Sequence, residues 1–282
     1  MDHALDTAAA AADLLRWYRL AGVDAILDEE PHNRFAEQAV VERQPAPREA
    51  PAALRPSVAS AEEAATSPRS SNGPTIPIRP EEAVLSARRL AAEITTLAEL
   101  RTALESFADC TLSKTAKNPV VSTGPVGARL MIIGDVPDAD EDRTGEAFSG
   151  EAGDLLNKML AAIGLKRNEI ALTPAIPWRP PGNRALSPHE IILCEPFLKR
   201  QIALIQPGMV VCMSSLAARL ALGRTEPLLR LRGKWFECAT GEQTVPSIVS
   251  LHPAMLLRQP LQKRYAWQDL KEIRARLGRQ TP

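Results

Sequence analysis

The sequence predicts an α/β fold: three layers, with a central, mostly parallel sheet between helices. Two observations carry this. Short apolar runs of strand length (LMII at 130–133, IALT at 170–173, MVVC at 209–212, SIVSL at 247–251) alternate with longer amphipathic, helix-like stretches. The run Leu130 to Ile133 is continuously apolar and ends at a glycine, which suits a buried parallel strand followed by a functional loop. In such sheets ligands bind beyond the carboxyl ends of the strands, which directs attention to the loops after Ile133 and Leu251.

The elements follow in order. Residues 4–27 are alanine-rich with an apolar stripe (Leu14, Leu15, Trp17, Tyr18), which predicts an N-terminal helical segment over 1–28, interrupted or ended near Gly22. Residues 29–79 lose periodicity and gain Pro, Ala, Ser and Arg, the composition of a linker that cannot bury enough apolar surface to offset chain entropy. The main domain spans 80–282. It opens with one or two helices over 80–106, started by Pro80 with Glu81 and Glu82. Then come a strand ending at Ile133, a helix closed by Gly164, a strand over 169–177 and a long helix opened by Ser187 and Pro188. A strand over 208–214, a short helix to Gly223, a β ribbon over 229–239 bearing Trp235 and Phe236, a strand over 245–253 and a helix over 260–277 complete it.

Composition bounds the function. Apolar residues are 45% of the 282, enough for a core, and no stretch has the length of a membrane span. The acidic N-terminus lacks the basic start of a secretory signal, so a cytosolic protein is expected. With 34 basic and 34 acidic residues the net charge is zero, which leaves a nucleic-acid partner to local basic surface. The four cysteines (Cys110, Cys194, Cys212, Cys238) contain no CxxC pair, and reduced, buried thiols are expected.

Three segments hold chemistry-bearing residues. Residues 134–153 (GDVPDADEDRTGEAFSGEAG) leave a strand, are rich in carboxylates and turn through glycines into a helix. Residues 177–184 (PWRPPGNR) fix two arginines and an asparagine with prolines. Residues 250–260 (SLHPAMLLRQP) put His252 just past a strand, ahead of an apolar pair and Arg258.

In this order the segments resemble family 4 uracil-DNA glycosylases. The resemblance rests on EDRTG (141–145), Phe148, Gly150, Ala152–Gly153, RPPGNR (179–184) and HPAMLLR (252–258), and extends from about residue 105 to the C-terminus. It implies a uracil-DNA glycosylase-like fold and a DNA-repair enzyme that hydrolyses the N-glycosidic bond of uracil or another deaminated base. It implies Asp135 and His252 as catalytic groups, with Gly134, Val136, Phe148 and Pro174 around the base. Arg179, Asn183, Arg184 and Arg258 would hold DNA, with Leu256 and Leu257 as a wedge in the duplex. DNA, single- or double-stranded, is the expected partner of a monomer, with a repair or replication protein as a further one through the N-terminal helix.

The sequence departs from the family pattern at informative places. Asp135 stands where the family has glutamate, Asp138 where it has glycine, and Ser149 where it has an apolar residue. Pro174 replaces an asparagine that reads the uracil edge, removing both the amide and a backbone N–H. The family also carries a [4Fe–4S] cluster on four cysteines. Here Cys110 fits the second and Cys194 the third, Cys212 is a displaced candidate for the fourth, and the first position is Phe107. No cofactor is therefore expected. The alternative to an active glycosylase is a DNA-binding protein of the same fold with weak or no catalysis.

Overall fold

The computed structural model describes residues 80–241 and 243–279; the helical segment and linker expected over 1–79 lie outside them. The stretch 80–106 forms two helices, α1 (Pro80–Glu93) and α2 (Leu97–Ser106). A capping box divides them: the Glu99 N–H donates to Thr96 Oγ1 at 3.1 Å while the Thr96 N–H donates to the Glu99 carboxylate.

Five strands make the sheet: β1 (Met131–Ile133), β2 (Ala171–Thr173), β3 (Val210–Cys212), β4 (Trp235–Ala239) and β5 (Thr244–Val249). Their spatial order is β2-β1-β3-β5-β4, with β4 alone running antiparallel. The register aligns Ile133 with both Thr173 and Cys212, and Cys212 with Val249. The four parallel strands thus end level, and the residues that follow them (Gly134, Pro174, Met213, Ser250) share one edge.

The pleat sends successive side chains to opposite faces. Met131, Ile133, Val210 and Cys212 pack into one core with α1, α2 and α5 (Pro188–Ile205). Leu130, Ile132, Met209 and Val211 pack into the other, with α4 (Gly150–Ala162) and α9 (Lys263–Arg279). This is the predicted three-layer arrangement. Among the described residues no helix is long and apolar enough to cross a membrane.

Two local expectations need correction. The ribbon expected over 229–239 begins as a helical turn, α7 (Leu228–Leu231), which follows Pro227 and buries Leu231; the strand starts only after Gly233 turns the chain at φ 72°. The loop 134–153 contains a helix, α3 (Ala139–Thr144). Asp138, which stands where the family has glycine, is its N-cap at φ −87°, accepting from the Asp140 and Glu141 N–H groups at 2.9 Å each. The remaining helices, α6 (Ser215–Leu222) and α8 (Pro253–Arg258), follow β3 and β5.

Candidate active site

The level strand ends bring the predicted residues together. Gly134 and Asp135 follow β1, Pro174 follows β2, and His252 stands three residues beyond β5. Phe148 reaches the same place from the turn between α3 and α4. That turn is held from below by Glu141, whose carboxylate accepts the Phe148 N–H at 2.6 Å and the Asp138 N–H at 2.9 Å. Burial pushes the Glu141 carboxyl up to about 7, against the pull of these two donors. Phe148 adopts a left-handed φ of 55°, a strained conformation for a bulky residue. Its carbonyl then lies against Gly153, where a Cβ would come within 1.8 Å of the Phe148 oxygen, so only glycine fits there.

Gly134 marks the point of convergence. A Cβ there would sit 3.0 Å from Phe148 Cζ and 3.4 Å from His252 Nε2. The Phe148 and His252 rings stack with centroids 5.2 Å apart and planes at 20°. His252 Nδ1 accepts the Ala254 N–H at 3.2 Å, within the first turn of α8. A neutral imidazole has one donor and one acceptor nitrogen, so this contact places the proton on Nε2, the atom that faces Gly134. Burial of the ring, aided by the Arg258 cation, holds the imidazole down at about 4. At neutral pH the site therefore presents an uncharged N–H donor.

Asp135 keeps an exposed face although protein surrounds it on the other sides. Desolvation raises its carboxyl above the ordinary range, opposed by the neighbouring Ser214 hydroxyl and Val136 N–H and by the Arg258 cation. A carboxylate half-walled by protein and open to solvent can bind and orient a water molecule. Val136 is partly buried against the core; Pro174 is buried and gives the pocket wall no polar side chain.

Other expected DNA contacts separate into two groups. Arg179 Nε donates to Asn183 Oδ1 at 2.9 Å on an exposed loop, which preorganises that pair. Arg258 is exposed at the end of α8, near Asp135 and His252, and Leu257 is 40% exposed beside it. Leu256, by contrast, is buried in the core under α8, so the expected leucine wedge reduces to Leu257. Arg184 has a partner within the protein: its guanidinium forks onto Glu190 at 2.6 and 2.9 Å, and this pairing pulls the Glu190 carboxyl down to about 2. Sequence reasoning missed Ser214, for which no motif or charge pattern gave a signal.

The residues present do not fit a four-thiolate cluster. Cys110 and Cys194 do meet: the Cys194 thiol donates to the Cys110 sulfur, which lowers Cys110 below the ordinary thiol range and raises Cys194 well above it. Phe107, at the first expected cysteine position, is a buried ring stacked on Trp178 (6.0 Å, 11°) and edge-on to Phe197 (5.2 Å, 76°). Cys212 lies on β3 with Cys238 as its neighbouring thiol, so the suggestion that it supplies a fourth ligand is corrected. Among the described residues no three His, Cys, Asp or Glu side chains come together as a metal site.

The residues that converge at these strand ends lie within the stretch of the chain matched by known proteins. The family model described as "Uracil DNA glycosylase superfamily" matches residues 121–271, and the chain belongs to that superfamily. Its relatives include the Type-4 uracil-DNA glycosylase of Archaeoglobus fulgidus, 35% identical over 177 residues, covering 61% of this chain and 89% of that one. The Type-4 enzymes of Pyrobaculum aerophilum (31%; 58% and 86% covered) and Thermotoga maritima (32%; 53% and 77% covered) are similar too.

Proposed function

We propose that the protein is a DNA glycosylase that hydrolyses the bond between deoxyribose C1′ and the nitrogen of uracil or another deaminated base. The observation that carries this is the convergence of the Phe148 ring and the His252 Nε2–H on Gly134, with Asp135 at the open side. A base must leave the stack to reach such a pocket. Phe148 would stack on the extruded base, and Gly134, lacking a side chain, lets it approach.

As the glycosidic bond breaks, its electron pair passes to the base and positive charge develops on the sugar. The Nε2–H of His252 donates to the base carbonyl oxygen as negative charge gathers there, in the manner of an oxyanion donor. Asp135 offsets the sugar's charge, orients water toward C1′ and accepts its proton. Arg179, Asn183 and Arg258 would position the phosphate backbone, and Leu257 would enter the gap left by the base.

The base preference follows from Pro174. Without a side-chain amide the pocket wall cannot pair with the uracil edge, so discrimination between uracil, hypoxanthine and xanthine is weak. A glycosylase assay on single- and double-stranded oligonucleotides carrying each base tests both points. Excision of uracil together with at least one other deaminated base is expected, whereas DNA binding without excision would leave a binding protein of the same fold.

A further inference from the structure

Three adjacent parallel strands end at the pocket, yet only the outer two, β1 and β5, have contributed a residue to the mechanism. The strand between them, β3, runs into Met213 and Ser214. The Met213 N–H donates to the Ile133 carbonyl at 2.8 Å, which carries the β1–β3 ladder up to the point where Asp135 turns away. The next residue, Ser214, is 6% exposed, and its Oγ lies 3.1 Å from the Gly134 carbonyl oxygen. The same Oγ accepts the Ala217 N–H at 3.0 Å, capping α6. That bond occupies the hydroxyl's acceptor side and aims its single hydrogen at the Gly134–Asp135 turn.

We propose that Ser214 is the positioning residue for Asp135: its hydroxyl donates to the Gly134 carbonyl and so fixes the turn after β1 from which the Asp135 carboxylate projects. This rests on the catalytic reading of Asp135 given above. A helix cap needs only an acceptor at this position, and Oγ does more, since it donates toward a turn on a different strand. The other groups around the Asp135 carboxylate are the Val136 N–H, the Arg258 cation on α8 and, at longer range, the Glu141 carboxyl on α3. Ser214 differs from these in being locked to the scaffold on both sides, accepting from Ala217 and donating to the Gly134 carbonyl.

The test measures excision as a function of pH, together with the Asp135 carboxyl titration by carbon-13 NMR, in wild type, Ser214→Ala and Ser214→Thr. The Ser214 hydroxyl beside the turn lowers the Asp135 carboxyl, so its loss should move the Asp135 titration and the acid limb of the rate to higher pH, by roughly half a unit or more. Turnover near pH 6 should fall roughly tenfold, as expected for a loosened catalytic group. Threonine keeps the hydroxyl and should restore both. If Ser214→Ala melts earlier but leaves the Asp135 titration and the acid limb in place, Ser214 is a helix cap only and the inference fails. A wild type that excises nothing, combined with an Asp135 titration that still moves in Ser214→Ala, would sink the catalytic reading while the contact between the two residues stood.

Discussion

His252 accepts a hydrogen bond at Nδ1 from the Ala254 N–H, and this contact, with the ring's burial, fixes both its tautomer and its charge. A donor already neutral and aimed needs no proton transfer before the glycosidic bond breaks. Its contribution grows only as charge develops on the base, so His252→Ala should lower single-turnover excision by on the order of 100-fold while leaving DNA affinity nearly unchanged. Because the imidazole is held at about 4, His252 should add no inflection to the pH–rate profile near its usual value of 6.5. The acid limb belongs to Asp135, whose carboxyl must be ionised: activity falls as pH drops through its raised titration point, and Asp135→Asn should abolish that limb. Pro174→Asn restores an amide to the pocket wall and should raise the preference for uracil over hypoxanthine, measured as a ratio of kcat/KM values. At this scale much of the site was legible in the sequence. Asp135, Phe148 and His252 could be found because each sits in a motif beyond a recognisable strand. Ser214 could not, since its part depends on the register between β1 and β3. Nor could the different fates of Leu256 and Leu257, which only the packing of α8 against α4 decides.

The turn from α3 to α4 shows how elements hold the site. Glu141 ties the N-terminus of α3 to the strained backbone of Phe148, and Gly153 leaves room for the carbonyl that this strain displaces. Glu141→Ala would leave two backbone N–H groups without their acceptor and should cost about 3 kcal/mol of stability, read by chemical denaturation. Its pH dependence has a definite sign. The folded-state carboxyl is raised from 4.5 to about 7, so the native state holds a proton that the unfolded chain releases earlier. The stabilisation is full below about 4.5 and is lost as pH rises through about 7, by up to about 3 kcal/mol. The stability difference between wild type and Glu141→Gln should shrink across that window. The periodicity of the acidic loop gave no hint of α3, because six residues are too few to show one; the signal it did carry was the Asp138–Glu141 capping box. The strands and long helices were legible because buried runs and amphipathic stretches leave period and length in the sequence.

For the whole molecule, the parallel strands end level and gather residues far apart in the chain into one pocket. Beside them, the corner bounded by Phe107, Cys110, Trp178 and Cys194 is closed by stacked rings and two thiols. The protein should therefore purify with well under one iron per chain, anaerobically as well as in air, and show no broad absorbance near 400 nm. About four irons per chain would overturn this account of the corner. The central claim is that this pocket excises a base. It is tested most directly by single-turnover cleavage of a uracil-containing oligonucleotide, comparing wild type with His252→Ala at matched DNA occupancy. The account predicts excision by wild type and a loss of on the order of 100-fold in the variant. Equal rates in the two proteins, or no excision by wild type of any deaminated base, would contradict it.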